Sequence, residues 1–391
     1  MNVPKLRFKE FNDDWNLIRL GDCCNLITKG TTPNRFSEYG IKFIKIESLI
    51  NKKIDNNKCL YVDEKTHITS LKRSVLEEKD VLFAIAGATI GKCGIVEKGN
   101  LPSNTNQALA ILRTNPKKLN PYFLLNVLDS NIMKKYILLN ISVGAQPNLN
   151  LEQMNNFKFK LPSGEEQLKV ANFLSLLDKK IELQFKKIED LKLFKKGHIN
   201  HIIENNEIEK ISLKNILVEQ NNKTSKNNEY EILSSTSKGI YLQKDYFNKQ
   251  AASDNNVGYK ILKKNQLVLS PQNLWMGNIN VNTEYNIGIV SPSYKIFNIS
   301  NNINIDFFNY WIKSPKALFE YKISSEQGAS IVRRNLNMDL FYEIIVDVPR
   351  GKLQNKVGKI IKLLNLNIQY NEFLLQKLSE LKKGLMQNMF V

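Results

Sequence analysis

The sequence predicts an α+β protein in which two pseudo-symmetric, mixed α/β domains are separated by two long antiparallel coiled-coil helices. Three observations carry that expectation. A long segment recurs without a gap, each copy bears an apolar heptad stripe, and a period-two apolar stretch precedes each copy.

The recurrence sets the architecture. LPSGEEQLKVANFLSLLDKKIELQFKKIEDLKLFKKG, from Leu161, aligns with VPRGKLQNKVGKIIKLLNLNIQYNEFLLQKLSELKKG, from Val348, an offset of 187. Pro162 falls on Pro349, Gly164 on Gly351, Gln167 on Gln354, Val170 on Val357, Leu177 on Leu364, and Lys195-Lys196-Gly197 on Lys382-Lys383-Gly384. Upstream at the same offset, Asn148-Leu149 falls on Asn335-Leu336. Phe157, Phe159, Leu161 fall on Ile344, Val346, Val348, the alternation of a half-buried strand before a Pro-x-Gly turn. Further upstream the halves diverge, although Ile18-Arg19-Leu20 and Ile211-Ser212-Leu213 open both.

Each repeated segment reads as one helix. Leu174, Ile181 and Ile188 share one heptad position and Leu177 and Leu191 another. In the second copy these are Ile361, Ile368, Leu375 and Val357, Leu364, Leu378, Leu385, with no proline inside either run. A helix of about forty residues, roughly 60 Å long, is expected from each. Neither buries its stripe alone, and a two-fold repeat pairs them antiparallel. Gln184 and Asn371 put an amide at one equivalent seam position; it either fixes register or is simply tolerated. The expected boundaries are a first domain at 1–160, a central helix at 161–205, a second domain at 206–347 and a terminal helix at 348–391.

With 391 residues, 42% hydrophobic and 24% charged, the chain has the composition of a folded protein of two or three units. No apolar run is long enough to cross a bilayer, and MNVPKLRFKEFNDDW lacks a signal peptide's apolar core, so a cytoplasmic protein is expected. Cys23, Cys24, Cys59 and Cys93 have no metal-type spacing and read as unpaired thiols. His198 and His201 lie three apart on a helix without an acidic or Cys partner nearby, which is a poor metal site.

The net charge of +18 favours a polyanionic partner, nucleic acid before a membrane surface; a Lys- and Asn-rich composition competes as a bland explanation. Residues 1–160 hold 24 basic against 15 acidic residues (+9), 161–205 hold 8 against 7 (+1), 206–349 hold 16 against 14 (+2), and 350–391 hold 8 against 2 (+6). The second domain would therefore bind through local clusters such as Arg333-Arg334 and Lys263-Lys264.

No catalytic constellation is found. Gly87-Ala88-Thr89-Ile90-Gly91-Lys92-Cys93 is one residue short of a phosphate loop, and Cys93 stands where a hydroxyl would hold magnesium, so it reads as a glycine-rich turn. There is no Asn/Asp-Pro-Pro-aromatic tetrapeptide, no glycine-rich cofactor turn, and no plausible Ser/His/Asp triad among three histidines.

These residues resemble a known family. PKLRFKEFNDDWNLIRLGD, VLFAIAGATIGKCGIV and SNTNQALAIL resemble the first target-recognition domain of type I restriction–modification specificity subunits. LP, EEQ and the helix through LKLFKKG resemble their central conserved region, and VPRGKLQNKV onward the C-terminal one. QLVLSPQNLWMGN and GIVSPSYKIF are similar to a second recognition domain, and Lys352-Leu353-Gln354 departs from the usual acidic-Gln pair.

The resemblance implies a non-catalytic subunit whose two recognition domains each read half of a bipartite site in double-stranded DNA. The helix pair would set the unread gap and scaffold two methyltransferase subunits, which methylate adenine at N6. Motor-nuclease subunits would join them. S-adenosylmethionine, ATP and Mg would then belong to those partners, with no cofactor and no metal in this chain. Base readers need donors and acceptors on loops. The candidates are Lys29, Thr31, Thr32, Lys92, Asn104, Asn106 and Gln107 in the first domain, and Gln272, Asn273, Trp275, Ser293, Tyr294, Arg333 and Arg334 in the second. A stand-alone DNA-binding, antirestriction-like protein and a coiled-coil adaptor stay open as alternatives.

Overall fold

The computed structural model describes residues 3–141, 147–246, 255–327 and 333–391. The chain divides into two compact units, Met1–Phe185 with Phe373–Val391, and Lys186–Glu372. Two long helices, Gly164–Glu204 and Lys352–Met389, are the repeated segments. At 41 and 38 residues each is about 60 Å long.

In the first unit an opening strand, Asn16–Arg19, pairs antiparallel with the closing strand Lys158–Leu161. A four-stranded antiparallel sheet follows in the order Cys24–Lys29, Leu109–Thr114, Val81–Ala84, Cys93–Ile95. The second unit is built the same way. Ile208–Ser212 pairs with Ile345–Pro349, and the sheet runs Leu217–Gln220, Lys295–Ile299, Leu267–Leu269, Ile279–Val281. Val81, Cys93 and Leu109 open strands 186 residues before Leu267, Ile279 and Lys295. The repeat thus extends through the stretch where sequence identity had faded. A strand needs only apolar residues on its buried face, so its skeleton persists while identities drift.

Each unit has its own core. In the first, Phe83, Phe123, Phe157 and Leu112 are buried with Val170, Ala171 and Leu174 of the first long helix, Met386 and Met389 of the second, and Phe390 just after it. In the second, Leu267, Phe297, Phe307 and Phe341 are buried with Ile199 of the first helix and Val357 and Ile361 of the second. Within each unit the helix segments run antiparallel. In the second unit Lys192 meets Glu372 at 3.0 Å and Lys195 meets Asn365 at 2.9 Å. In the first, Asp178 pairs with Lys382. Of the seam amides, Asn371 is buried and donates to Asn367 O, and Gln184 is half-buried.

The glutamines shared by the two copies fasten the long helices to the domains. Buried Gln167 accepts from Asn120 N (2.9 Å) and donates to Pro162 O (3.0 Å) and Lys118 O (3.1 Å). Gln354 accepts from Asn304 N and donates to Asn302 O (3.4 Å). Asn120 and Asn304 are the N-caps of helices Pro121–Asp129 and Ile305–Trp311. One amide thus satisfies the backbone at a capped helix start, where orphan N–H groups gather.

Candidate nucleic-acid interface

In the first unit, the strands Cys24–Lys29, Val81–Ala84 and Leu109–Thr114 bring three loops to one end of the sheet. Gly30 N donates to Leu109 O (3.3 Å), Thr31 N to Thr105 O (3.0 Å) and Ile85 N to Ala108 O (2.9 Å). Gly30 is required here: a Cβ would meet Thr105 O at 2.0 Å and Asn106 O at 2.4 Å. Lys29, Thr32 and Gln107 are exposed, and Thr32 Oγ1 donates to Gln107 Oε1. Asn106 is half-buried and accepts from Ala108 N (3.1 Å). So Lys29, Thr31, Thr32, Asn106 and Gln107 come together.

Two candidates of this unit point elsewhere. Asn104, expected on a loop, lies in the strand Ser103–Thr105 and is buried. Its Oδ1 meets His67 Nδ1 at 2.6 Å and its Nδ2 donates to Leu71 O at 3.1 Å. The parallel pairing of that strand with Ile41–Ile44 draws it inward. Lys92 closes the turn after Val81–Ala84, with Gly87 and Gly91 at φ of 91° and 93°, and its ammonium donates to Ile46 O (3.0 Å). The glycine-rich stretch is a turn, as its composition suggested; Gly91 N returns to Ala84 O (2.9 Å). Sequence reasoning missed Arg73, whose Nη2 donates to Thr31 Oγ1 at 3.2 Å. The Lys72-Arg73 dipeptide was visible, but only the fold brings it to this loop.

The second unit gathers its candidates at the equivalent end of its sheet. Gln272, Asn273 and Trp275 occupy the turn between Leu267–Leu269 and Ile279–Val281, and Ser293 and Tyr294 immediately precede Lys295–Ile299. Arg334 N donates to Gln272 O (3.2 Å), which joins the Arg333-Arg334 segment to that turn. Gln272, Ser293 and Arg333 are exposed, and Asn273 and Trp275 half-buried. The Tyr294 hydroxyl donates to Ser235 O (3.1 Å), and burial raises its pKa. The Arg334 guanidinium is engaged locally, with Nε on Ser325 Oγ (2.9 Å) and Nη2 on Lys322 O (3.2 Å). It holds the adjoining strand, and Arg333 presents its charge outward.

The remaining chemistry is structural. Cys23, Cys24, Cys59 and Cys93 are unpaired, and burial pushes the Cys24 and Cys93 thiols up to about 12, which keeps them protonated. Among the described residues no cluster of His, Cys, Asp and Glu is placed to hold a metal ion. His198 stacks on Phe194 at 5.4 Å, and His201 meets Asn205 Nδ2 at 3.0 Å. Among the described residues no helix is long and apolar enough to cross a membrane.

Residues 12–193 match the family model of the type I restriction modification DNA specificity domain. The MjaX type I restriction enzyme specificity subunit of Methanocaldococcus jannaschii is 32% identical over 202 residues, 50% of this chain and 47% of that protein. The chain thus spans about half the length of that curated relative. Among solved structures, the type I restriction–modification S subunit from M. genitalium is similar over 100% of this chain and 99% of its own, with a TM-score of 0.60 at 15% identity. A chain from a structural study of complex assembly and conformational transition in the type I system is similar over 95% of this chain and 96% of its own, with a TM-score of 0.55 at 12% identity. Those two likenesses are of fold.

Proposed function

We propose that this chain, whose residues 12–193 match the type I restriction modification DNA specificity domain, is the subunit that addresses a type I restriction–modification complex to DNA. Its two domains, 1–160 and 206–347, each read one half of a bipartite site. The helices at 161–205 and 348–391 set the unread spacer and seat two methyltransferase subunits, with motor-nuclease subunits joining the assembly. The chain supplies no chemistry of its own, works in the cytoplasm, and leaves S-adenosylmethionine, ATP and Mg to its partners.

The observation that carries this reading is the same sheet end presented twice with different side chains. In the first unit it bears Lys29, Thr31, Thr32, Asn106 and Gln107; in the second, Gln272, Asn273, Ser293 and Arg333. Amides and hydroxyls can match base edges, and cations can anchor phosphates. Asn104 and Arg334 position these loops.

Docking of two like subunits is supported by apolar side chains left exposed at the repeat offset of 187. Leu176, Leu183 and Leu381 in the first unit are 68%, 57% and 54% exposed, and their equivalents Leu363, Tyr370 and Phe194 in the second are 57%, 61% and 56% exposed. Apolar side chains exposed at equivalent positions of both units suit two copies of one partner.

The test replaces 206–347 with the corresponding domain of another specificity subunit, in a host supplying the methyltransferase, and maps N6-methyladenine. A retained first half-site beside a new second half-site is expected. Change in both halves would show that the domains do not read independently.

A further inference from the structure

A groove of ≈ 670 Å³ in the second unit runs between the hairpin strand Gly239–Leu242, the strand Ile279–Val281, the helix Ile305–Trp311 and the helix residues Lys195, Lys196, Asn365 and Gln369. Its cations are Lys195, Lys196, Lys238 and Lys313. Among the described residues lining it, Glu284 is the one acid. Lys313 donates to two neutral acceptors, Gly277 O at 2.7 Å and Ser237 O at 3.1 Å, and burial pulls its ammonium down to about 8. Lys195 donates to Asn365 Oδ1 at 2.9 Å and lies over the Tyr310 ring at 5.8 Å. Burial and Lys192 lower its pKa, and Glu372 opposes them.

The first unit has a counterpart groove of ≈ 680 Å³. There Lys382 pairs with Asp178, Lys53 with Glu182 at 2.6 Å, and Lys52 with Asp129 at 3.1 Å. At the offset of 187, Asp178 becomes Asn365, Glu182 becomes Gln369 and Lys382 becomes Lys195. Asp129 and Lys313 each lie nine residues beyond their capping asparagines, Asn120 and Asn304. Two carboxylates are thus replaced by amides and the third by a lysine, while a lysine of the helix pair is kept. The first groove carries internal counter-ions, whereas the second holds desolvated cations facing carbonyl and amide oxygens. Such cations are costly until an anion arrives.

We propose that the second-unit groove binds a phosphate ester of nucleotide size, with its phosphoryl oxygens taken by Lys195 and Lys313 and by the amide N–H groups of Asn365 and Gln369. Several separated donors suit a multiply charged oxyanion better than a single carboxylate. The volume suits a small ligand, and Tyr241, Tyr285 and Tyr310 line the groove with aromatic surface.

The test is calorimetric titration of the full chain with inorganic phosphate, a nucleoside 5′-monophosphate and the uncharged nucleoside. Phosphate and the monophosphate should bind, and the nucleoside at least about tenfold more weakly. Lys313→Met should weaken the monophosphate at least about tenfold. Asn365→Asp, which restores the carboxylate that the first unit already accommodates, should do the same without loss of thermal stability. Unchanged affinity in Asn365→Asp, equal binding of nucleoside and nucleotide, or no heat at millimolar ligand would each overturn the proposal. Competition with duplex DNA then assigns the source. Displacement of the monophosphate makes the groove part of a DNA backbone track, and simultaneous binding makes it a small-molecule site.

Discussion

The two units share a strand order and differ in how they neutralise charge. Where the first long helix begins, buried Glu166 accepts from Arg7 through Nε and Nη2, both at 2.8 Å, and from Trp15 Nε1 at 3.2 Å. The equivalent residue of the second copy is Leu353, packed against that unit's core. From the sheet strand Leu109–Thr114, Arg113 grips buried Asp80 at 2.8 and 2.9 Å. At the matching place Gln266, 186 residues after Asp80, donates to Asn298 Oδ1, 185 residues after Arg113, at 2.7 Å. An ion pair and an apolar or amide contact thus do the same mechanical work in one skeleton. The departure of Lys352-Leu353 from an acidic pair follows from this, since the second unit's equivalent position is met by apolar packing.

The largest expected effect comes from removing the buried Glu166 carboxylate of the first unit. Glu166→Gln leaves the Arg7 guanidinium without its counter-ion and should cost about 3 kcal/mol. Native-state hydrogen exchange should show that loss in the first unit with the second unchanged. Equal loss in both would break the comparison by showing that the units do not unfold separately.

A smaller effect belongs to the second unit. Lys313 has a folded pKa of about 8 against an unfolded value near 10.5, so between those values the unfolded chain holds the extra proton and stability rises with pH. The gain should be about 1–2 kcal/mol across that window, allowing for solvent at the ammonium. Thermal melts at pH 7.5 and 10 should show it as a difference between the native chain and Lys313→Met. An identical pH dependence in the two would remove Lys313 as its source.

The smallest effect sharpens what the units have in common. Gln167→Ala and Gln354→Ala each remove one glutamine clamp and should each cost about 1 kcal/mol. Denaturant unfolding that found one change costly and the other silent would show that the clamps are not equivalent.

How much of this was legible in the sequence differs from residue to residue. Gln167 and Gln354 stood out as identities, yet nothing in the chain said that they hold the caps Asn120 and Asn304. The candidate loops were recognisable from their amides and cations. Asn104 looked the same as Asn106, and only the pairing of Ser103–Thr105 with Ile41–Ile44 separates the buried amide from the half-buried one. Arg73 joined the site through a contact 42 residues away in sequence.

By itself the sequence determined the repeat, the two long helices and the strands that close each unit, because periodicity and uninterrupted apolar stripes are local properties of a chain. Tertiary structure alone decided that the diverged stretches share one sheet order, that one groove is neutralised and its counterpart basic, and which loops meet at a sheet end. The physical reason is that strand pairing and desolvation depend on residues far apart in the chain, whose proximity is settled only when the core closes around them.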